Sequence, residues 1–473
     1  MINYTATYTD KYQLTMAQVY FLKGQKNHVA VFDYFFRKLP FGGGYAIFAG
    51  LEDLLEILEN FSFSPSDIAY LHTQGFHPDF LEYLKTFQFK GTVYASQEGE
   101  LVFPTCPVVT VEADIIEAQL IETLLLNLLN FQTLIATKAS RMRYIAGSRE
   151  LIDFGLRRAQ GPGGYYASRA AIIGGFNSTS NVCSGRDYYI PISGTMAHSF
   201  VQSYDDELAA FRDFAEGWPD HCVLLVDTYN TLESGVPNAI IIAKEMEKRG
   251  KKLKGIRLDS GDLAYLAKRA RAMLDEAGLT YVKITASNQL NEEVIRSLLE
   301  QDAPIDSFGV GTNLVIGVPD AALDGVYKLA FANNKPRIKL SETLSKVTLP
   351  YKKQTYRVLQ TDGTFLGADV IALSDEEDLE IMYHPFEETK SLSLKNYKKE
   401  PLLRKVMEKG KRLFAVKSLN EIATFNQQRL ACLSDEYKRL INPHEYKVGL
   451  SEQLKRQREQ LIQKMKGYRQ CGS

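Results

Sequence analysis

Seven short segments of the chain end in side chains able to hold and move charged groups. Arg157 and Arg158 close LIDFGLRR (151–158), and Ser178, Thr179, Ser180 and Asn181 close the run that begins AAIIGGF (170–176). Thr195 and His198 lie in YYIPISGTMAHS (188–199), and Asp227, Tyr229 and Asn230 in CVLLVDTYN (222–230). Arg257, Asp259 and Asp262 lie in LKGIRLDSGD (253–262), Ser287 and Asn288 in YVKITASNQ (281–289), and Gly309 to Asn313 in DSFGVGTN (306–313). These types suit a phosphorylated sugar. Arginine grips phosphate oxygens bidentately, carboxylates hold Mg²⁺ or sugar hydroxyls, and a glycine turn such as GVGTN points backbone N–H groups at phosphate. Asp227, Asp259 and Asp262 on one rim would repel one another unless a cation or a hydroxylated ligand lay between them. His198 follows SGT at an expected helix start. A lone histidine is an ordinary structural residue, but on this rim neutral imidazole is a competent nucleophile toward phosphorus.

Taken singly, these signals have plain alternatives. Arg257 and Asp259 serve equally well as a structural ion pair. GVGTN alone is a common turn, and FGGGY (41–45) and GPGGY (161–165) read as turns. No GxGxxG opens a helix after a strand, and GxxxxGK[ST] and HExxH are absent, which argues against a Rossmann site, a P-loop and a zincin.

The elements that must position these residues follow from periodicity. The seven runs, with VYKLAFAN (326–333), are short and apolar, and helix-like segments such as 240–249 and 262–277 separate several of them. Strands alternating with crossover helices make a parallel sheet. About eight such units predict an irregular α/β barrel, closed or nearly so, whose ligands gather where the strands end. We expect this barrel over 140–335, an N-terminal α/β domain over 1–139 and a C-terminal region over 336–473. In the first domain 9–21 and 48–60 read as helices and 30–37 as a strand, with short strands over 93–112. In the last region 347–359 reads as strands, and 402–415 and 451–466 as helices. The stretch 395–417 holds nine basic and two acidic residues. It reads as a solvated lysine-rich helix and turn rather than an anion-binding face.

The whole chain has 473 residues, too many for one simple core. With 56 Lys+Arg against 57 Asp+Glu it has no global reason to seek nucleic acid or an anionic membrane. Five scattered cysteines, Cys106, Cys183, Cys222, Cys432 and Cys471, form no CxxC pair; they read as reduced thiols in the cytoplasm, not as a disulfide framework or a zinc site. The opening MINYTATYTDKYQLTMAQVY is too polar for a signal peptide. The most apolar stretch, 118–136, carries Gln119, Glu122, Asn127, Asn130 and Gln132, so it reads as a buried helix rather than a membrane span.

The segments TDKYQLTMA (9–17), FGLRRAQGPGG (154–164), GTMAHSF (194–200), LVDTYNT (225–231), GIRLDSGDL (255–263) and FGVGTNL (308–314) resemble, in order, the bacterial nicotinate phosphoribosyltransferases. KLSE (339–342) and LLRKVMEKGKR (402–412) extend the likeness. The resemblance implies a type II phosphoribosyltransferase fold in which the C-terminal region partly completes the N-terminal domain. It implies a homodimer with sites between subunits. It further implies that nicotinate and 5-phosphoribosyl 1-pyrophosphate are converted to nicotinate mononucleotide and pyrophosphate, with Mg²⁺ as cofactor and ATP as co-substrate. By the same route His198 matches a transiently phosphorylated histidine. Phe154 and Tyr12 match the aromatic pair that sandwiches the pyridine ring, Tyr12 coming from the neighbouring subunit. Thr195 and Arg257 match residues near nicotinate. Arg157, Asp227, Asp259, Gly311 and Thr312 match the region holding the phosphoribosyl substrate, with Mg²⁺ expected near Asp227 and Asp259. Nicotinamide-using relatives carry a carboxylate where this chain has Ser180; a carboxylate there would repel nicotinate and a serine would not. Two other readings stay open: a nicotinamide phosphoribosyltransferase, and a non-catalytic relative that binds phosphoribosyl pyrophosphate. A quinolinate phosphoribosyltransferase fits less well, being shorter with a different motif order.

Overall fold

The computed structural model describes residues 4–343, 346–387 and 389–470; Cys471 lies outside them. The chain divides into two compact units. One holds residues up to Thr137 together with those from Ala322 onward, and the other is Lys138–Ala321.

The second unit is built on six strands. In spatial order they are Ser178–Thr179, Glu150–Asp153, Ser307–Val310, Lys283–Ala286, Gly255–Leu258 and Val223–Leu225. Every pairing is parallel. The strands are buried along most of their length, as a sheet with helices on its faces requires. Helices Val236–Lys248, Leu263–Glu276 and Glu292–Glu300 make the crossovers. Asp262 and Asn291 cap the last two by accepting from the Tyr265 and Val294 N–H groups at 3.0 and 2.8 Å.

The sheet is an open, irregular half-barrel of six strands, not the eight that the sequence suggests. Residues 188–199 form no strand and pair with the sheet only at an isolated bridge, Ile192 to Thr179, among the described residues; Pro191 and Gly194 interrupt the pairing there. AAIIGGFNSTS begins as the last four residues of helix Gly163–Ile173 and continues through a turn, with only Ser178–Thr179 extended. The run 326–333 leaves the barrel altogether. Strand Gly325–Ala332 pairs antiparallel with Val29–Phe36 in the other unit, where a Cβ at Gly325 would meet Asn130 Oδ1 at 1.9 Å.

The first unit carries two main sheets. A seven-stranded antiparallel sheet runs Lys335–Pro336, Gly325–Ala332, Val29–Phe36, Val109–Asp114, Thr92–Ala95, Arg404–Glu408 and Lys411–Arg412. The expected helix over 402–415 is thus two strands and a turn; the left-handed Lys409 and Gly410 make a tight reversal that a helix cannot accommodate. The basic stretch 395–417 is correspondingly neither helix nor uniformly solvated. Arg412 ion-pairs with Glu52 and Glu59, and Lys405 with Glu408. Six strands between Lys353 and Ser451 form the second sheet, mixed through one parallel pair, Phe365–Leu373 with Lys447–Ser451. Helices Lys11–Leu22, Leu51–Leu58 and Glu452–Gln470 lie where apolar spacing places them. The apolar stretch 118–136 contributes to helices Ile115–Leu120 and Glu122–Ala146. Among the described residues no helix is long and apolar enough to cross a membrane.

Candidate active site

The parallel strands of the second unit end around a cavity of about 450 Å³. Phe154 forms one wall, at the residue after strand Glu150–Asp153. Its ring fits because the neighbouring strand carries Gly309, where a Cβ would stand 2.3 Å from the ring. Arg157, Ser180, Thr195, Arg257, Asp259, Gly311 and Thr312 line the same space.

Arg257 is the most heavily tied of these side chains. Its Nη1 donates to Thr195 Oγ1 at 2.8 Å and its Nε to Ser287 Oγ at 3.0 Å, while Nη2 lies 3.2 Å from Asp259 Oδ1. Ser287 in turn donates to Asp259 Oδ1. The guanidinium lies 5.6 Å from the centroid of the Phe154 ring. An aromatic face and a fixed planar cation therefore sit side by side in one cavity.

Beside Asp259 stand the two remaining residues expected to do chemistry. His198 begins the short helix His198–Gln202. Its Nε2 is 3.7 Å from Asp259 Oδ2, and its Nδ1 is 3.1 Å from Thr228 Oγ1. Asp227 Oδ2 accepts from the Asp259 N–H and the Ser260 hydroxyl, both at 2.7 Å. Asp227 Oδ1 is buried with no hydrogen-bond partner. A carboxylate oxygen left without a donor costs free energy unless a ligand or cation completes it. That atom and Asp259 are hard oxygen donors of the kind Mg²⁺ takes, one or two at a time alongside substrate phosphates. Among the described residues no group of three or more His, Cys, Asp or Glu side chains is arranged to hold a metal.

Two loops bring backbone to the rim. Thr312 opens the one-turn helix Thr312–Val315 after Gly311. Asn313 Nδ2 donates to the carbonyls of Gln289 and Leu290 at 3.1 and 3.0 Å, clamping the facing loop. There Asn288 and Gln289 hold φ of +86° and +50°. Such left-handed residues without a glycine cost about 1–2 kcal/mol each and gather at functional sites. Arg157 and Arg158 are exposed at the cavity edge, and Arg157 has no ion-pair partner among the described residues.

Of the residues singled out in the sequence, the structure brings Phe154, Arg157, Ser180, Thr195, Arg257, Asp259, Gly311 and Thr312 to one cavity, with His198 and Asp227 adjoining it through Asp259. Tyr12 lies in the other unit, half exposed in the first turn of helix Lys11–Leu22. Asp262 and Asn230 also cap helices: Asp262 Oδ1 accepts from the Tyr265 N–H, and Asn230 Oδ1 from the Leu232 and Glu233 N–H groups. Sequence reasoning did not single out Thr228, whose hydroxyl orients His198, or Gln289, whose sequence shows no glycine to announce a left-handed turn.

Residues 149–387 match the family model described as "Nicotinate phosphoribosyltransferase (NAPRTase) family". Residues 7–130 and 352–458 match that family's N-terminal and C-terminal domains. The nicotinate phosphoribosyltransferase of Bacillus subtilis is 46% identical over 469 residues, covering 97% of this chain and 95% of that one. That of Caenorhabditis elegans is 38% identical, covering 94% and 91%. A crystal structure of human nicotinic acid phosphoribosyltransferase aligns with a TM-score of 0.86 at 33% identity, covering 96% of this chain and 99% of that one. A nicotinate-nucleotide pyrophosphorylase from Pyrococcus furiosus shares the fold at a TM-score of 0.71 and 23% identity, covering 90% and 95%. With three successive segments matched in order and near-complete coverage of its relatives, the chain belongs to the nicotinate phosphoribosyltransferase family.

Proposed function

We propose that this chain joins nicotinate to 5-phosphoribosyl 1-pyrophosphate, giving nicotinate mononucleotide and pyrophosphate in the salvage of nicotinate for NAD, and that ATP hydrolysis is coupled to the reaction through His198. The observation that carries the reading is the pairing of Arg257 with Phe154. A pyridine carboxylate laid on the Phe154 face would present its anion to the Arg257 guanidinium and the Thr195 hydroxyl. Ser180, lining the same cavity, offers no carboxylate to repel that anion, which favours the acid over its amide.

The ring nitrogen then attacks the anomeric carbon. The new C–N bond forms as the bond to the pyrophosphate oxygen breaks, and pyrophosphate leaves. Holding both substrates in one cavity supplies much of the rate. The Arg157 guanidinium, with no ion-pair partner among the described residues, would bind the leaving group's growing charge. Mg²⁺, when bound, would neutralise pyrophosphate, and Asp227 with Asp259 would hold it.

His198 suits a phosphoryl acceptor. With its Nδ1 proton donated to Thr228, the lone pair is left on Nε2, at the Asp259 side. Attack of Nε2 on the γ-phosphorus of ATP forms an N–P bond and releases ADP, and water later releases phosphate. His198→Ala should leave slow ATP-independent transfer and abolish the ATP hydrolysis tied to it. Assaying nicotinate mononucleotide and ADP together tests this, and undiminished coupling in that variant would remove His198 from the scheme.

The working assembly in this reading is a homodimer in which Tyr12 of one subunit covers the pyridine ring in the other. The half-exposed Tyr12 ring supports it. The free thiols of Cys106, Cys183, Cys222 and Cys432 suit a reducing cytoplasm.

A further inference from the structure

Asp153 is the last residue of its strand and 1% exposed, and it does not line the cavity. Its Oδ1 accepts from the Gly155 N–H at 2.8 Å. Its Oδ2 accepts from the hydroxyls of Thr179 and Ser168 at 2.8 and 2.7 Å. Gly155 immediately follows Phe154, and Thr179 immediately precedes Ser180. The backbone carbonyl of Asp153 adds a second tie, accepting from the Ser180 N–H at 2.8 Å. One residue thus braces the aromatic wall and the serine wall of the cavity from behind.

A nearly inaccessible carboxyl, whose charged form burial disfavours, is an expensive way to join two loops, since neutral side chains would serve with less desolvation. What a carboxylate alone provides is acceptance from three donors at fixed angles with no donor of its own. We infer that Asp153 is a positioning residue for the aromatic acid: it fixes the Phe154 ring and Ser180 relative to each other, and so sets the width of the pyridine slot and its preference for a carboxylate over an amide. The inference deepens the proposed function and rests on it. Two substrates enter the cavity, and the residues beside the brace's partners, Phe154 next to Gly155 and Ser180 next to Thr179, are those assigned to the pyridine. Its removal therefore separates their kinetic constants, which a general loss of stability would not do.

Asp153→Asn keeps the shape and replaces one acceptor oxygen by a donor, so one hydroxyl or N–H loses its partner. The KM for nicotinate should rise about tenfold, and the preference for nicotinate over nicotinamide should fall by a similar factor. The KM for phosphoribosyl pyrophosphate should stay within about twofold of the wild-type value, and kcat should fall less than the nicotinate kcat/KM. Thr179→Val removes one donor while leaving the carboxylate. It should move the same two quantities in the same direction, about threefold. Should Asp153→Asn fail to fold, the Thr179→Val protein decides the matter. Unchanged nicotinate KM and unchanged selectivity in the folded variant would overturn the inference. So would equal rises in the KM of both substrates. Wild-type protein assayed in parallel keeps the two ideas apart: wild type that does not use nicotinate contradicts the proposed function, whereas active wild type with an indifferent variant contradicts only the role of Asp153.

Discussion

Two regions of this molecule assemble the same kinds of side chain to opposite ends. In the first unit Arg357 is fully buried. It donates to Asp369 through Nε and Nη2, both at 3.0 Å, to Glu100 at 2.5 Å and to the Leu101 carbonyl at 2.7 Å. Arg429 pairs with Glu100 and Glu400, and Tyr446 donates to Asp369. Aromatic rings close the cluster, Phe365 lying 4.5 Å from the Arg357 guanidinium carbon. Burial alone would drag that guanidinium's pKa down, and Asp369, Tyr446 and Glu100 more than reverse it. In the second unit Arg257 also has an aspartate, hydroxyls and an aromatic ring about it, but the arrangement is incomplete. Among the described residues Asp227 Oδ1 has no donor and Arg157 no counter-ion, and His198 presents Nε2 toward a cavity-lining carboxylate. The contrast separates structural charge from functional charge. A cluster whose valences are all met within the chain holds the fold; one that leaves them unmet beside a cavity waits for a ligand.

Substitutions at the two arginines should pull that contrast apart. Arg357→Met leaves Glu100 and Asp369 buried and short of a partner, so unfolding free energy should drop by about 3–5 kcal/mol, read by denaturant titration. Retention of full stability would make the cluster as dispensable as a surface pair. Arg257→Gln should do the reverse. Its nicotinate kcat/KM should fall about 10²–10³-fold, while unfolding free energy moves by no more than about 1 kcal/mol. A large loss of stability there would erase the distinction. Gly309→Ala forces the Phe154 ring to move and should cost about 1–3 kcal/mol, seen as a lower melting temperature with a raised nicotinate KM.

The smallest effect concerns a buried carboxyl in the first unit, Glu117. Burial pushes Glu117 up to about 7, aided by the nearby Asp114 charge and opposed by the hydrogen bond from the Lys90 N–H and by the Lys90 ammonium. A carboxyl held above its ordinary range binds its proton more tightly when folded. Its contribution is therefore present at low pH and is lost as pH rises from the ordinary value of 4.5 to about 7. Glu117→Gln should accordingly be more stable than wild type at pH 8 by about 1 kcal/mol and no more stable at pH 4. Thermal melts at the two pH values check the sign.

Much of the site was legible because strand-end residues are announced by the apolar runs before them. LIDF, VLLVD, GIRLD and FGVG each deliver a rim residue where a parallel strand must stop. The strand count was less legible. VYKLAFAN is as apolar as its barrel neighbours, and nothing local tells a strand whether its partner is Ser307–Val310 or Val29–Phe36. Register and partner choice are long-range properties. The basic tail failed for a related reason. LLRKVMEKGKR has good helix formers, but Met407 packs as a strand residue against Val93, and the turn at Lys409 and Gly410 overrides propensity. Asp262 and Asn230 show the remaining limit: a capping side chain and a ligand-binding one look alike until the helix after them is seen.

The most direct test of the central claim, that the unmet charges around the Arg257 cavity exist for a pyridine carboxylate and an activated phosphoribosyl group, is the turnover of purified protein given phosphoribosyl pyrophosphate and Mg²⁺ with either nicotinate or nicotinamide. The account predicts saturable formation of nicotinate mononucleotide and little product from the amide. No product from nicotinate, or equal use of the two, would contradict it.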